Sequence, residues 1–149
     1  MATNKGINLS QLIKKDSEGW RREKKKIPRL LANEMVNDFK ENFNRQGFRD
    51  SSTKKWKKRK NNVDPGRAVL VGPGGGRKLS RSIKQITVNQ SKVVVGSTVH
   101  YAGVHNYGLR SGRGKGFIMP QRKFVGNSKK LNRKLVKLII KRIDKGFDK

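Results

Sequence analysis

Leu79-Ser80-Arg81-Ser82-Ile83-Lys84-Gln85-Ile86-Thr87-Val88-Asn89-Gln90-Ser91-Lys92-Val93-Val94-Val95-Gly96 is the stretch on which the fold turns. Ile86 and Val88 alternate with Gln85, Thr87 and Asn89, a polar turn follows over residues 89–92, and an apolar run returns at Val93-Val94-Val95. Two runs of period two around such a turn predict a β-hairpin. Phe117-Ile118-Met119 predicts a third strand, ended at Pro120 because proline has no N–H to give a central ladder.

On both sides of this region the apolar period becomes helical. Ile27, Leu31, Met35, Phe39 and Phe43 form an i+4 ladder flanked by Leu30, Ala32 and Val36, which is one wide apolar helix face. Pro28 is tolerable in a first turn, where its missing N–H has no intrahelical partner, and Gly47 is placed to stop the helix in a left-handed cap. Near the other end, Asn127 or Ser128 can cap a final helix. Leu131, Leu135, Val136, Leu138, Ile139, Ile140 and Ile143 fill one half of its wheel, and Lys130, Arg133, Lys134, Lys137, Lys141 and Lys145 the other. The expected fold class is α+β: a small antiparallel sheet packed by a long N-terminal and a C-terminal amphipathic helix.

The flanks and the middle are less regular. Leu9, Leu12 and Ile13 suggest a shorter helix, but Gly19 and Arg21-Arg22-Glu23-Lys24-Lys25-Lys26 interrupt it, which leaves residues 1–25 open to being an arm that orders against a neighbour. Residues 48–78 carry Lys54-Lys55-Trp56-Lys57-Lys58-Arg59-Lys60 and Gly72-Pro73-Gly74-Gly75-Gly76, with only Ala68-Val69-Leu70-Val71 able to bury a face. That composition predicts a long basic, glycine-rich projecting loop.

With 149 residues the chain fits one domain, 1–149, but only 32% of it is hydrophobic and the formal net charge is +28. One modest core is expected, with a negatively charged partner near it, because such a charge repels itself unless it is neutralised. There is no cysteine, hence no disulfide, thiolate chemistry or cysteine-based zinc site. No apolar run approaches the ~20 residues that span a bilayer, and the opening Met1-Ala2-Thr3-Asn4-Lys5-Gly6 lacks a signal peptide's apolar segment. The expectation is a soluble protein made in a cytoplasm, without a membrane partner.

The candidate chemistries do not mature. Gly72-Pro73-Gly74-Gly75-Gly76-Arg77-Lys78 is not a phosphate-binding P-loop, which needs glycine at Arg77 and Ser or Thr at Leu79. His100 and His105, with no cysteine or nearby carboxylate, do not make a metal ligand set. The ten Asp and Glu residues are scattered, and Ser80 and Ser82 have no arranged base. No enzyme and no cofactor are expected.

The patterns Leu79-Ser80-Arg81-Ser82-Ile83, Val93-Val94-Val95-Gly96, Tyr101-Ala102-x-x-His105-x-x-Gly108 and Met119-Pro120-x-Arg122-x-Phe124 closing on Gly126 follow in a fixed order. With Asn42-Phe43, Gly47 and Trp56 upstream, they resemble the phage virion morphogenesis family, the tail-completion and head-to-tail joining proteins of tailed bacteriophages. The resemblance runs from about Phe39 to the C-terminal end. It implies a structural virion protein at the neck, forming a ring, most often sixfold, and meeting connector and tail-tube proteins after assembly in the host cytoplasm. Trp56, Leu79, Ser82, Ile83, Tyr101, Ala102, His105, Gly108, Pro120 and Phe124 are expected as scaffold. Tyr101, Val104 and His105 can share one side of a helical turn that Gly108 ends. Arg122, whose planar fork suits a carboxylate, is expected at a subunit interface.

Lys54, Lys55, Lys57, Lys58, Arg59 and Lys60 around Trp56 read either as a solvated loop or as a face for packaged double-stranded DNA, since lysines on phosphates bind without sequence preference. Composition taken alone points to a freestanding nucleic-acid-binding protein, ribosomal-like or DNA-packaging. The ordered motif series points to the virion.

Overall fold

A computed structural model describes residues 9–59 and 66–147 of the chain. Helix α1 (Leu9–Arg45) is followed by strands β1 (Gly47–Arg49) and β2 (Thr53–Lys55), a single 3₁₀ turn at Pro73–Gly75, and the short helix α2 (Lys78–Arg81). Then come β3 (Ile83–Val88), β4 (Val93–Ser97), helix α3 (Ala102–Tyr107), β5 (Arg110–Ser111), β6 (Phe117–Ile118) and helix α4 (Lys129–Phe147). The class is α+β. Rather than one sheet there are three two-stranded antiparallel ladders, β1–β2, β3–β4 and β5–β6, so the third predicted strand pairs beside α3 and not with the hairpin.

Helix α1 is the hub, packed against α4, β3, β4 and β1. Phe39 and Phe43 from the predicted ladder and the flanking Ala32 are buried, with Met35 and Val36 packed against them. The helix runs through Gly19 and the basic run without a break. Of the arm expected over residues 1–25, residues 1–8 lie outside the described residues and 9–25 are helical. Gly19 is a close-approach point rather than a break: a Cβ there would stand 2.6 Å from the Gly146 carbonyl oxygen. Beside it Trp20 stacks on Phe147 with centroids 6.0 Å apart. Glu23 pairs with Arg142 at 3.1 Å and Glu34 with Lys134. The order of these pairs makes α1 and α4 antiparallel. The hydrogen bond from Lys26, then that from Arg142, hold the Glu23 carboxyl below the ordinary carboxylate range despite the opposing cost of burial.

Two cap expectations are corrected. Pro28 lies inside α1 and not in its first turn, so the Lys24 carbonyl lacks its i+4 donor; tertiary packing of the buried ring outweighs the propensity loss. The left-handed residue that ends α1 is Gln46, at φ 51, not Gly47. Gln46 is held there by its side chain, which donates to Phe43 O at 2.5 Å and accepts from the Val69 amide. Gly47 lacks a side chain for another reason, since a Cβ would fall 2.6 Å from the Lys54 carbonyl oxygen across the ladder.

The segment 48–78 is also corrected. It is tied down at Phe48, Trp56 and Val69, all buried, because the β1–β2 ladder turns the chain back onto α1. Its glycine-rich part closes on itself through Gly72 N–H donating to Gly76 O at 2.8 Å, and residues 60–65 lie outside the described residues.

The β3–β4 hairpin has the predicted turn, with Asn89 Oδ1 accepting from the amides of Ser91 and Lys92 at 3.0 and 2.7 Å. Ile83 and Val95 face the core and Gln85 reaches Asn33 on α1. A bulge between Gln85 and Thr87 turns Ile86 away from the core, 57% exposed, while Val88 pairs with Val93 on the core side of the hairpin, 37% exposed. Ser128 is the cap of α4: its Oγ accepts from the Leu131 amide at 3.1 Å and donates to Arg49 O at 2.7 Å.

Candidate functional site

Phe124 is the centre of a joint that gathers the motif residues. Its ring, 1% exposed, lies 5.2 Å from that of Phe43, and Phe43 meets Trp56 edge-on at 5.4 Å. The Trp56 indole N–H donates to Lys123 O at 2.8 Å. Asn42 Nδ2 donates to Phe124 O at 3.1 Å, and Asn106 Oδ1 accepts from the Phe124 and Val125 amides at 2.9 and 3.0 Å. Buried main-chain groups of an extended segment cannot be left unpaired without a cost of ~1–3 kcal/mol each, and these two asparagines supply the partners.

The remaining scaffold residues continue the joint. Leu79 and Ile83 are buried, while Ser82 Oγ donates to Leu79 O at 2.7 Å and lies 2.6 Å from Ser97 Oγ. Ala102 is buried on α3, and Tyr101 meets His105 edge-on across that helix. Gly108, at φ 71, caps α3 in the left-handed region as expected, and a Cβ there would also stand 3.1 Å from Met119 O. Pro120 follows β6, half-buried.

Arg122 belongs to the fold of its own subunit more than expected. It is 7% exposed, its amide donates to His105 O at 2.8 Å, and its Nε donates to Lys57 O at 3.2 Å. Nη1 reaches only the Met119 sulfur, at 4.0 Å, and no carboxylate pairs with the guanidinium among the described residues. Burial, and then the charge of Arg59, pull its pKa below the ordinary arginine value. His105 is pulled down likewise, by burial first and by Arg122 second, and its Nδ1 is buried with no hydrogen-bond partner among the described residues.

Arg122 and His105 open onto a half-enclosed cavity of about 440 Å³, together with Arg59, Arg67 and Lys78. Leu70, Leu79 and Tyr101 give it apolar walls. Leu70 is held at φ 64, a conformation that a branched side chain rarely adopts. Arg59 is oriented by donating from Nη2 to Ala68 O and Val71 O.

The basic cluster is thus divided. Lys54, Lys55, Lys57 and Lys58 are exposed, whereas Arg59 turns inward to the cavity and Lys60 lies outside the described residues. Lys55 is partly engaged, donating from Nζ to Arg45 O at 2.7 Å. Sequence reasoning missed Asn106, Gln46 and the gathering of Arg59, Arg67 and Lys78, because a polar residue acquires such a role only from what folds against it.

The sequence model of the phage virion morphogenesis family matches residues 8–144. The chain belongs to that family. As a phage virion morphogenesis protein it has a structural role in assembly and acts with other virion components. The matched span holds the Phe124 joint and the cavity whole. No curated protein and no solved structure matches the chain. Among the described residues there is no cluster of metal-ligating side chains, and no helix long and apolar enough to cross a membrane.

Proposed function

We propose that this phage virion morphogenesis protein is a ring subunit of the neck, completing the tail or joining it to the head. The observation that carries this is that one protomer leaves different apolar surfaces uncovered, at Val136 and Ile140 on α4 and, more tellingly, on two of its ladders. Ile86 stands on the outer face of β3–β4, and Tyr107, Leu109, Phe117 and Ile118, 50% to 66% exposed, crowd around β5–β6. Apolar groups gathered in this way mark an interaction surface. Two unlike patches suit a head-to-tail contact, which closes into a ring when the rotation permits. Such a role asks for position and adhesion, and no catalytic group.

Light scattering and negative-stain imaging of the purified protein test this. Closed rings that Ile118→Asp disperses are the expected result; wild-type protein that stays monomeric with its tail and connector proteins present would overturn the proposal.

The exposed Lys54, Lys55, Lys57 and Lys58 favour a further contact, to DNA passing through the ring. Each phosphate contact contributes roughly 0.9 to the log–log salt slope of binding. Changing the four lysines to glutamine should flatten that slope, and an unchanged slope would assign them to solubility.

A further inference from the structure

The cavity beside Arg122 collects Arg59, Lys78 and Arg122, and no Asp or Glu lines it among the described residues. Cations brought this close raise one another's energy, and burial removes the water that would moderate the repulsion. Arg122 is the most confined of them: among the described residues its Nη2 donates no hydrogen bond, and its Nη1 meets only a sulfur. Its Nε bond to Lys57 O and the amide bond to His105 O fix where the guanidinium can point. A rigid fork with unspent donors on the wall of a half-enclosed basic cavity is a receptor for a planar anion.

We propose that this cavity receives the carboxylate of an aspartate or glutamate carried on an apolar segment of a partner protein. The walls decide for a carboxylate on an apolar stem. Leu70, Leu79 and Tyr101 offer contact area to neighbouring methylenes, whereas a phosphate within a duplex has a further charged phosphate on its strand every ~3.4 Å of helix axis and does not fit a half-enclosed space. The donor is a protein other than a second copy, since the chain carries only 10 acids against 38 lysines and arginines. Several of those acids are engaged at home: Glu23 with Lys26 and Arg142, Asp38 with Arg49, Glu34 with Lys134. Asp50 is likewise spent on the first amide of α4. That the partner is a virion protein rests on the proposed function; that the cavity binds a carboxylate does not.

The test uses the full chain carrying Ile118→Asp, so that ring formation plays no part. The probe is a short acetylated, amidated peptide with one glutamate between leucines, and its control has glutamine in that place. Binding is followed through the Arg122 Nε–Hε resonance. The glutamate peptide should shift this signal saturably and the glutamine peptide should not. Lys78→Gln, at an exposed position where the fold is untouched, should weaken binding about tenfold, the loss expected for one charge-assisted contact. Arg122→Gln, which lacks that resonance and is followed instead through the Tyr101 and Lys78 backbone amides at the cavity wall, should abolish it. Equal binding of both peptides, an unchanged affinity in Lys78→Gln, or displacement of the peptide by a short DNA duplex would each overturn the proposal, the last in favour of a phosphate site.

Discussion

The Phe124 joint and the β5–β6 edge are built from similar residues to opposite ends. In the joint, Phe43, Trp56 and Phe124 are buried and the main chain between them is paired by Asn42 and Asn106. At the edge, Phe117 and Ile118 are 56% and 64% exposed on a ladder of two residue pairs. Two-stranded ladders are marginal by themselves, so the second region gains little from its own subunit. The contrast separates residues that hold the protomer together from residues whose burial awaits another molecule.

The largest expected effect lies in the joint. Phe124→Ala should cost ~3–5 kcal/mol, the range for emptying a buried aromatic site, and thermal unfolding reads it directly. A cost under ~1 kcal/mol would mean that the joint is not the core. Asn106→Ala comes next. It strips two amides of their acceptor and should cost about 2–3 kcal/mol by denaturant titration, with no change in assembly beyond that caused by instability. On the edge, Ile86→Asp and Ile118→Asp should each change stability by no more than ~0.5 kcal/mol, since neither leaves a cavity nor buries a charge.

Acid sharpens the boundary between the two regions at His105. Its folded pKa is depressed, so in mild acid the unfolded chain binds a proton that the folded one refuses. The contribution is therefore intact above the ordinary histidine value of about 6.5 and is lost as the pH falls from there toward the folded pKa. His105→Gln should lessen the fall in melting temperature between about pH 7 and pH 5 relative to wild type. An identical fall in both proteins would show that the ring does not titrate as its burial requires.

Much of the fold is legible because its signals are local. The ladder on α1, the turn at Asn89, the Ser128 cap and the Gly108 stop each act within a few residues of themselves. What escaped is what depends on distant chain. Period two in Ile86 and Val88 announced a strand but not its bulge, which turns Ile86 outward and sets Val88 opposite Val93 on the core side. Gln46 takes the left-handed position that Gly47 was expected to hold because Val69, far along the chain, pays it with a hydrogen bond. Trp56 sits in a lysine run that looks solvated until Phe43 and the Lys123 carbonyl come to meet it. The cavity around Arg122 is assembled from separated segments, and no local pattern announces it.

Mixing two defective proteins tests the central claim most directly. If the surface of Ile86 on one protomer meets that of Ile118 on the next, Ile86→Asp and Ile118→Asp should each be monomeric alone, in salt concentrated enough to screen the charge. Mixed, they retain one intact contact between them. Light scattering should then give a heterodimer at twice the 16.9 kDa of a protomer, and nothing larger. Rings in the mixture, rings from either variant alone, or no association in the mixture would contradict the head-to-tail account.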